Sequence, residues 1–293
     1  VRPGASGTSA LTNTVSGTGS LAVNGDPSGT VILSGSNSYS GGTMVSSGSL
    51  HVRAASALGT AAASVASGGQ IYVDANVDLS SLPLTLNGSG ITSDGALRKG
   101  GGGNTSFGGA ITLGSDTTLG VDGSSTLNLT NAAGLNGSSV NANLTLNGSG
   151  AGSISGPLSL GSGNLTVGGG TWTVAPNNSF SGLSTINAGA LRITGAGSLG
   201  PVPASFNASQ VTLNGGALEA ATNMTLIDGN IGITLAASST ITVDSNATLS
   251  VANAISGAGA LFLTKSGPGT LVLNRRQILK LCTRLIGAID DDI

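Results

Sequence analysis

The chain of 293 residues has one cysteine, one histidine, one tryptophan, two tyrosines and four phenylalanines, and only 8% of it is charged. Each shortage removes a class of protein. A lone cysteine, Cys282, rules out an intrachain disulfide framework, and one His with one Cys cannot build a structural zinc site. Ten basic and twelve acidic residues, net −2, leave no basic patch to track a phosphate backbone, so nucleic acid is excluded as a partner. No apolar run approaches the ~18 residues that a membrane-spanning helix needs, and no membrane span is expected. Eight prolines without a Gly-X-Y period exclude collagen. The opening Val1-Arg2-Pro3-Gly4 carries neither Met nor an apolar signal core and reads as the start of an internal fragment.

What is abundant is glycine, 50 residues, which with 42 Ser, 31 Thr and 23 Asn makes half the chain. Glycine costs about 1 kcal/mol per helical site relative to alanine, so a helical protein is excluded. A flexible Gly/Ser linker is excluded by the apolar residues, which keep a period of two. Pairs such as Leu21/Val23, Val31/Leu33, Leu50/Val52, Ile71/Val73, Leu127/Leu129, Leu191/Ile193 and Leu271/Leu273 recur over most of the length. Each marks a short strand with one buried side, and the Asn-Gly, Gly-Gly and Ser-Gly steps between them supply corners.

The chain also resembles itself. Residues 84–90 and 144–150 both read Leu-Thr-Leu-Asn-Gly-Ser-Gly, an offset of 60, and 15–34 align without a gap on 255–274, an offset of 240. Asn37–Gly59 align on Asn178–Gly200, an offset of 141. These offsets lie near 3, 7 and 12 times about 20, in the usual range for solenoid repeats. The expected fold is therefore all-β: a parallel β-helix of about 20 residues per coil, with 13 to 14 coils over residues 1–274.

The stretch 28–73 resembles the autotransporter-associated β-strand repeat of bacterial surface passenger domains. Gly29, Thr30, Leu33, Asn37, Tyr39, Gly41, Gly42, Thr43, Val45, Gly48, Leu50, Val52, Leu58 and Gly59 carry the pattern. A degenerate copy spans 171–220 through Asn178, Phe180, Gly182, Gly189, Leu191 and Gly200, and it departs at Leu183 and Ser184. A third copy opens at 257–274. The resemblance implies a right-handed parallel β-helix, exported to the bacterial cell surface through an outer-membrane barrel. Independently of it, Asn37 is suited to bond nearby backbone at a corner, and Tyr39 and Phe180 to cap the core there.

After Asn274 the repeat breaks. Residues 275–293 hold 7 of the 22 charged residues and the only Cys. Ile278, Leu281, Cys282, Leu285, Ile286 and Ile289 follow helical spacing, so this segment reads as a separate tail: an amphipathic cap, or a frameshifted or artificial end.

Candidate sites are few. The closest acidic pairs, Asp74/Asp78 and Asp116/Asp122, fall beside corners and read as solvated turn residues, short of the paired carboxylates of a glycosidase. Arg98-Lys99 beside Gly100–Gly103 can face Asp94 in a small charged loop, but a plain exposed loop is the commoner outcome and the one expected. His51 alternates with Leu50 and Val52, matches Arg192 in the second copy, and points outward. The glycine pattern Gly195–Gly200 with Glu219 mimics a dinucleotide fingerprint, but Pro201 and Pro203 stand where its helix would begin. No catalytic, cofactor-binding or metal-ligating residue is assigned. The expectation is a non-catalytic extracellular rod that presents an adhesive or shielding surface. Its expected partners are glycans or proteins of host or environmental surfaces, with end-to-end self-association through the open end coils. A carbohydrate-active β-helix enzyme is the alternative, and it requires a carboxylate cluster on one face.

Overall fold

The computed structural model describes residues 1–226, 230–253, 255–257 and 260–273. The expected tail 275–293, with Cys282, lies outside them. The period-two pairs form short strands, and every strand pairing is parallel. The chain is an all-β parallel solenoid of about 12 turns, with a mean spacing near 22 residues. One ladder runs its full length through Thr8–Leu11, Thr30–Leu33, Thr43–Val52, Gly69–Val73, Leu97–Lys99 and Ile111–Val121. It continues through Leu144–Gly148, Leu165–Val167, Ser184–Ile186, Asn207–Asn214, Ile231–Ala237 and Ile255–Gly257. A second ladder passes through Leu21–Asn24, Ala63–Val65, Leu84–Gly88, Leu135–Asn136 and Leu158–Ser159, and a third through eight strands from Gly103–Phe107 to Leu263–Ser266. Among the described residues the one helical element is a single 3-10 turn, Ala196–Leu199.

Parallel stacking puts like side chains above one another. Leu50, Ile71, Leu97, Leu119, Leu146, Val167, Ile186, Leu213 and Leu235 form one continuous column in successive coils, none more than 4% exposed. Each such side chain contributes about 1.5–3 kcal/mol on burial, which is how a thin, mostly aliphatic core holds the stack. The one tryptophan is accommodated by a missing side chain. Trp172 is fully buried against its register partner Gly152, where a Cβ would fall inside the indole ring's contact distance.

The coil is longer than the expected 20 residues, and about 12 turns replace the expected 13 to 14. Register partners lie as few as 19 residues apart (Thr30 and Ser49) and, within regular pairings, as many as 27 (Ala190 and Ala217), with 29 at the bulge between Gly88 and Thr117, because corners absorb insertions while strands keep their pairing. Consequently the repeat offsets are not whole numbers of turns. Leu86 stacks on Val65 and Leu113 in the second ladder, whereas Leu146, its counterpart in the identical heptapeptide, stacks on Leu119 and Val167 in the first. The 141-residue repeat shifts likewise: Val45 stacks on Val23 and Val65, but Ile186 lies in the column that descends from Leu50. The motif therefore encodes a local strand-corner-strand unit rather than a fixed angular position.

Asparagines fasten the corners. Asn37, 3% exposed, accepts the Val15 N–H at 2.8 Å through Oδ1 and donates through Nδ2 to the Ala57 carbonyl at 2.7 Å. Asn178 repeats this with the Leu158 N–H and the Ser198 carbonyl, at 2.8 and 2.6 Å. Each amide thus bonds the coil before and the coil after its own. As expected, Tyr39 and Phe180 are buried at these corners, at 3% and 0% exposure.

Candidate functional site

Charged side chains are concentrated on one outer face between residues 51 and 122, and it is here that chemistry would be sought. His51, Tyr72 and Arg98 occupy the same outward position in three successive coils. Being stacked by register, they touch: the His51 and Tyr72 rings meet edge-on at 4.7 Å, and the Arg98 guanidinium sits 5.1 Å over the Tyr72 ring. That cation–π geometry is worth about 0.5–1 kcal/mol at an exposed site.

Three carboxylates border this stack, and each is committed to a guanidinium. Asp74 accepts a two-pronged contact from Arg53 (Nε to Oδ1 2.9 Å, Nη2 to Oδ2 2.6 Å) and lies 3.0 Å from His51 Nδ1. Asp122 accepts from Arg98 Nε at 2.8 Å and from the Tyr72 hydroxyl at 3.1 Å, although Tyr72 is 50 residues away in sequence. Asp94 is paired to Arg98 Nη1 and accepts from Gln70 Nε2 at 2.7 Å. Burial works against ionisation of Asp74, but the hydrogen bonds from Arg53 and His51 outweigh it and hold that carboxyl below its usual range. Burial, with Asp122 nearby, pushes the Tyr72 phenol up.

Lys99 does something the alternation alone did not foretell. It stands in an inward column between Val73 and Val121, fully buried. Its ammonium donates to the Gly100 carbonyl at 2.5 Å and the Gly102 carbonyl at 2.7 Å, so the glycine run is wrapped around a cation supplied by the chain itself. Burial lowers its pKa, opposed by the charges of Asp74 and Asp122. Gly100 must lack a side chain, since a Cβ there would lie 2.6 Å from the Tyr72 ring carbon that bears the hydroxyl.

The acidic pairs of the sequence are separated by the fold. Asp74 and Asp122 enter the network above, whereas Asp78 accepts the Ser106 N–H at 2.8 Å and Asp116 accepts the backbone and side-chain amides of Asn143 at 2.9 and 3.0 Å. The turn reading thus holds for Asp78 and Asp116. For Asp74 and Asp122 it is corrected, because coil stacking delivers arginines that sequence spacing does not reveal. Arg98 does face Asp94, and His51 does point outward. At the position equivalent to His51, Arg192 pairs with Glu219 of the next coil at 2.6 Å and with Asp244 of the coil beyond. The glycine pattern 195–200 forms a single 3-10 turn, and the residues after it run into the strand Asn207–Asn214 in place of a helix.

Chemically, this face is a set of clamps between coils. Asp74, held by the Arg53 guanidinium, is a poor proton donor at neutral pH, because its charged form is the stabilised one. Among the described residues no hydroxyl or thiol bonds to the His51 ring, and no three His, Cys, Asp or Glu side chains converge as a metal site. No helix of the described chain is long and apolar enough to cross a membrane.

The fold and its clamps define a β-solenoid repeat protein. More particularly, residues 28–52, 167–193 and 263–274 match the passenger-associated-transport-repeat, the repeat of autotransporter passengers, in the three regions where the sequence resembled it. No curated protein and no solved structure matches the chain.

Proposed function

We propose that this chain is a non-catalytic, extracellular segment of an autotransporter-type passenger, a rod at the bacterial cell surface that presents an adhesive or shielding face. The observation that carries the reading is the three passenger-associated repeats, set within one uninterrupted parallel stack. The tied-off charges agree with it: Asp74, Asp94, Asp122, Glu219 and Asp244 all spend their carboxylates on arginines that join coils. The decisive experiment labels intact producing cells with antibody raised against residues 1–273 and then treats them with external protease. Surface label that protease removes is expected. Label that appears only after lysis overturns the reading.

The same carboxylate face is what a carbohydrate-active enzyme would require, so turnover is the companion test. Incubation with neutral and acidic polysaccharides should release no reducing ends and no unsaturated products, and release of either would replace the rod reading with the enzyme.

A further inference from the structure

Beyond residue 117 the first ladder carries an outward column in which the residue type hardly changes. Thr118, Thr145, Thr166, Thr185, Thr212 and Thr234 are register partners in unbroken succession, followed by Ser256. With strands about 4.8 Å apart, the seven hydroxyl residues mark a straight track roughly 29 Å long, parallel to the rod axis. Strand propensity favours threonine on any outward position. It does not explain this column, because the equivalent column of the third ladder reads Asn104, Thr126, Ala151, Thr171, Ala190, Ala217, Thr240 and Thr264.

The track begins inside a groove of about 670 Å³. Its floor is built from the corners of four successive coils, and the segments around Ser89 and Val140 border it. The Ser89 border is rigid: Gly95 N–H bonds the Ser89 carbonyl at 2.9 Å, and Asp94 is fixed by Arg98 and Gln70. Thr118 lies in this groove, only 7% exposed, and its hydroxyl has no hydrogen-bond partner among the described residues. The oxygen is not sealed off from solvent, so it stands open to a partner that enters the groove from outside. Among the described residues the hydroxyls of Thr145, Thr166, Thr185 and Thr212 likewise take no protein partner, whereas that of Thr234 also donates to the Ala208 carbonyl at 2.9 Å. Only at Thr234 and Ser256 do hydroxyls bond to each other, at 3.0 Å.

We propose that this track binds a single extended chain of a neutral polysaccharide, lying along the rod axis with about one sugar per coil. The repeat of an extended pyranose chain is close to the strand spacing, so successive hydroxyls meet successive threonines in the same register. Neutrality follows from the lining: Asp116 is the one charged group in the groove, no cation offsets it, and an anionic chain would be repelled. A peptide would want pockets or a free strand edge, and the groove offers neither, with Val140 its one large exposed apolar side chain. A flat crystalline surface such as ice would be held away from Thr118 by the bordering segments, whereas one chain can enter. The proposal rests on the surface-rod reading for its setting, but its test needs only the purified protein.

Threonine methyl spectra of the full chain, labelled at Thr, should be recorded with cellohexaose, laminarihexaose and xylohexaose, and with hexagalacturonate. At least one neutral hexasaccharide is expected to shift Thr118, Thr145 and Thr166 together, and its trisaccharide to bind more weakly. Replacing two hydroxyls isosterically, Thr145→Val with Thr166→Val, should weaken binding about tenfold. The Thr145→Ser/Thr166→Ser chain, which keeps both oxygens, should bind normally and guards against loss by misfolding. The proposal is overturned by silence with every neutral hexasaccharide, by equal binding of hexagalacturonate, or by indifference to the valines. Inhibition of ice growth without saccharide binding overturns it too, in favour of a crystal surface. If saccharide binding fails while intact cells still carry the label, only this proposal falls.

Discussion

Residues 37–59 and 178–200 are the same motif twice, and their differences show which parts of it do the fastening. Both keep the buried asparagine with its two cross-coil bonds, and both keep a left-handed glycine at the end, Gly59 at φ +78° and Gly200 at +83°. Around that constant centre the second copy has been stripped down. In the first, the Tyr39 hydroxyl and Thr43 Oγ1 lie 2.5 Å apart, and Thr43 Oγ1 donates to the Leu58 carbonyl at 2.9 Å. In the second, Phe180 has no hydroxyl, and Ser184 Oγ, at the position of Thr43, is buried with no partner at all. Gly42, left-handed at φ +85°, is replaced by Leu183, which does not adopt that conformation. The amide is therefore the indispensable element, and the tyrosine–threonine pair is an addition.

This contrast can be broken most severely at the asparagines. Asn178→Leu leaves the Leu158 N–H and the Ser198 carbonyl unpaired, and Asn37→Leu leaves the Val15 N–H unpaired and the Ala57 carbonyl with only the Tyr39 hydroxyl, 3.3 Å away. Each should cost about 2–4 kcal/mol in urea unfolding, similar in both copies. If Asn178→Leu proved harmless, the equivalence would fail. Next come the glycines. A Cβ at Gly59 would stand 2.6 Å from the Tyr39 carbonyl, and one at Gly200 would meet the Phe180 carbonyl. Alanine at either position should lower stability by about 1–3 kcal/mol through strain in the left-handed region, which thermal melts would detect.

A smaller, oppositely signed pair sharpens the comparison. Tyr39→Phe should destabilise by about 1 kcal/mol. Phe180→Tyr, which offers the orphaned Ser184 hydroxyl a partner, should stabilise by a similar amount. Ser184→Ala should be neutral or mildly stabilising, and a marked loss would mean that this hydroxyl has a partner after all. The smallest effect concerns the outward position held by His51 in one copy and Arg192 in the other. Because its hydrogen bonds to Arg53 and His51 hold the folded Asp74 carboxyl below the ordinary carboxylate range, its clamp contributes stability that is fully present above the unfolded carboxyl's pKa. The contribution is lost as the pH falls through the folded value. Asp74→Asn should remove that acid-range component of the melting profile, at a cost of no more than about 1 kcal/mol at neutral pH.

Much of this architecture could be read from the residues. Alternation such as Leu144-Thr145-Leu146 declares a strand with one buried side, and Asn37 beside Gly41-Gly42 declares a corner. Which strand stacks on which could not be read, since corners vary in length: identical heptapeptides at 84–90 and 144–150 end in different ladders. The same obstacle hid the outer face. Arg98 with Asp94 was legible at four residues' separation, but Tyr72 with Asp122 and Arg192 with Asp244 become neighbours only once register is known. Lys99 was legible as charged and was expected in an exposed loop. It is buried because three glycines that follow take left-handed conformations, at φ +68°, +75° and +68°, and two carbonyls of the run turn onto its ammonium.

A stack in which each coil meets only its two neighbours would fray from its ends one layer at a time, like a column of independent coins. Asn37 and Asn178 forbid this locally, because one amide holds the layer beneath and the layer above at once. Losing the middle layer releases a bond from each of the other two, and losing an outer layer releases one from the middle. Under tension the rod should therefore yield in threes around these rivets and singly elsewhere, so that the spacing of the repeats along the chain sets the size of the pieces in which it comes apart.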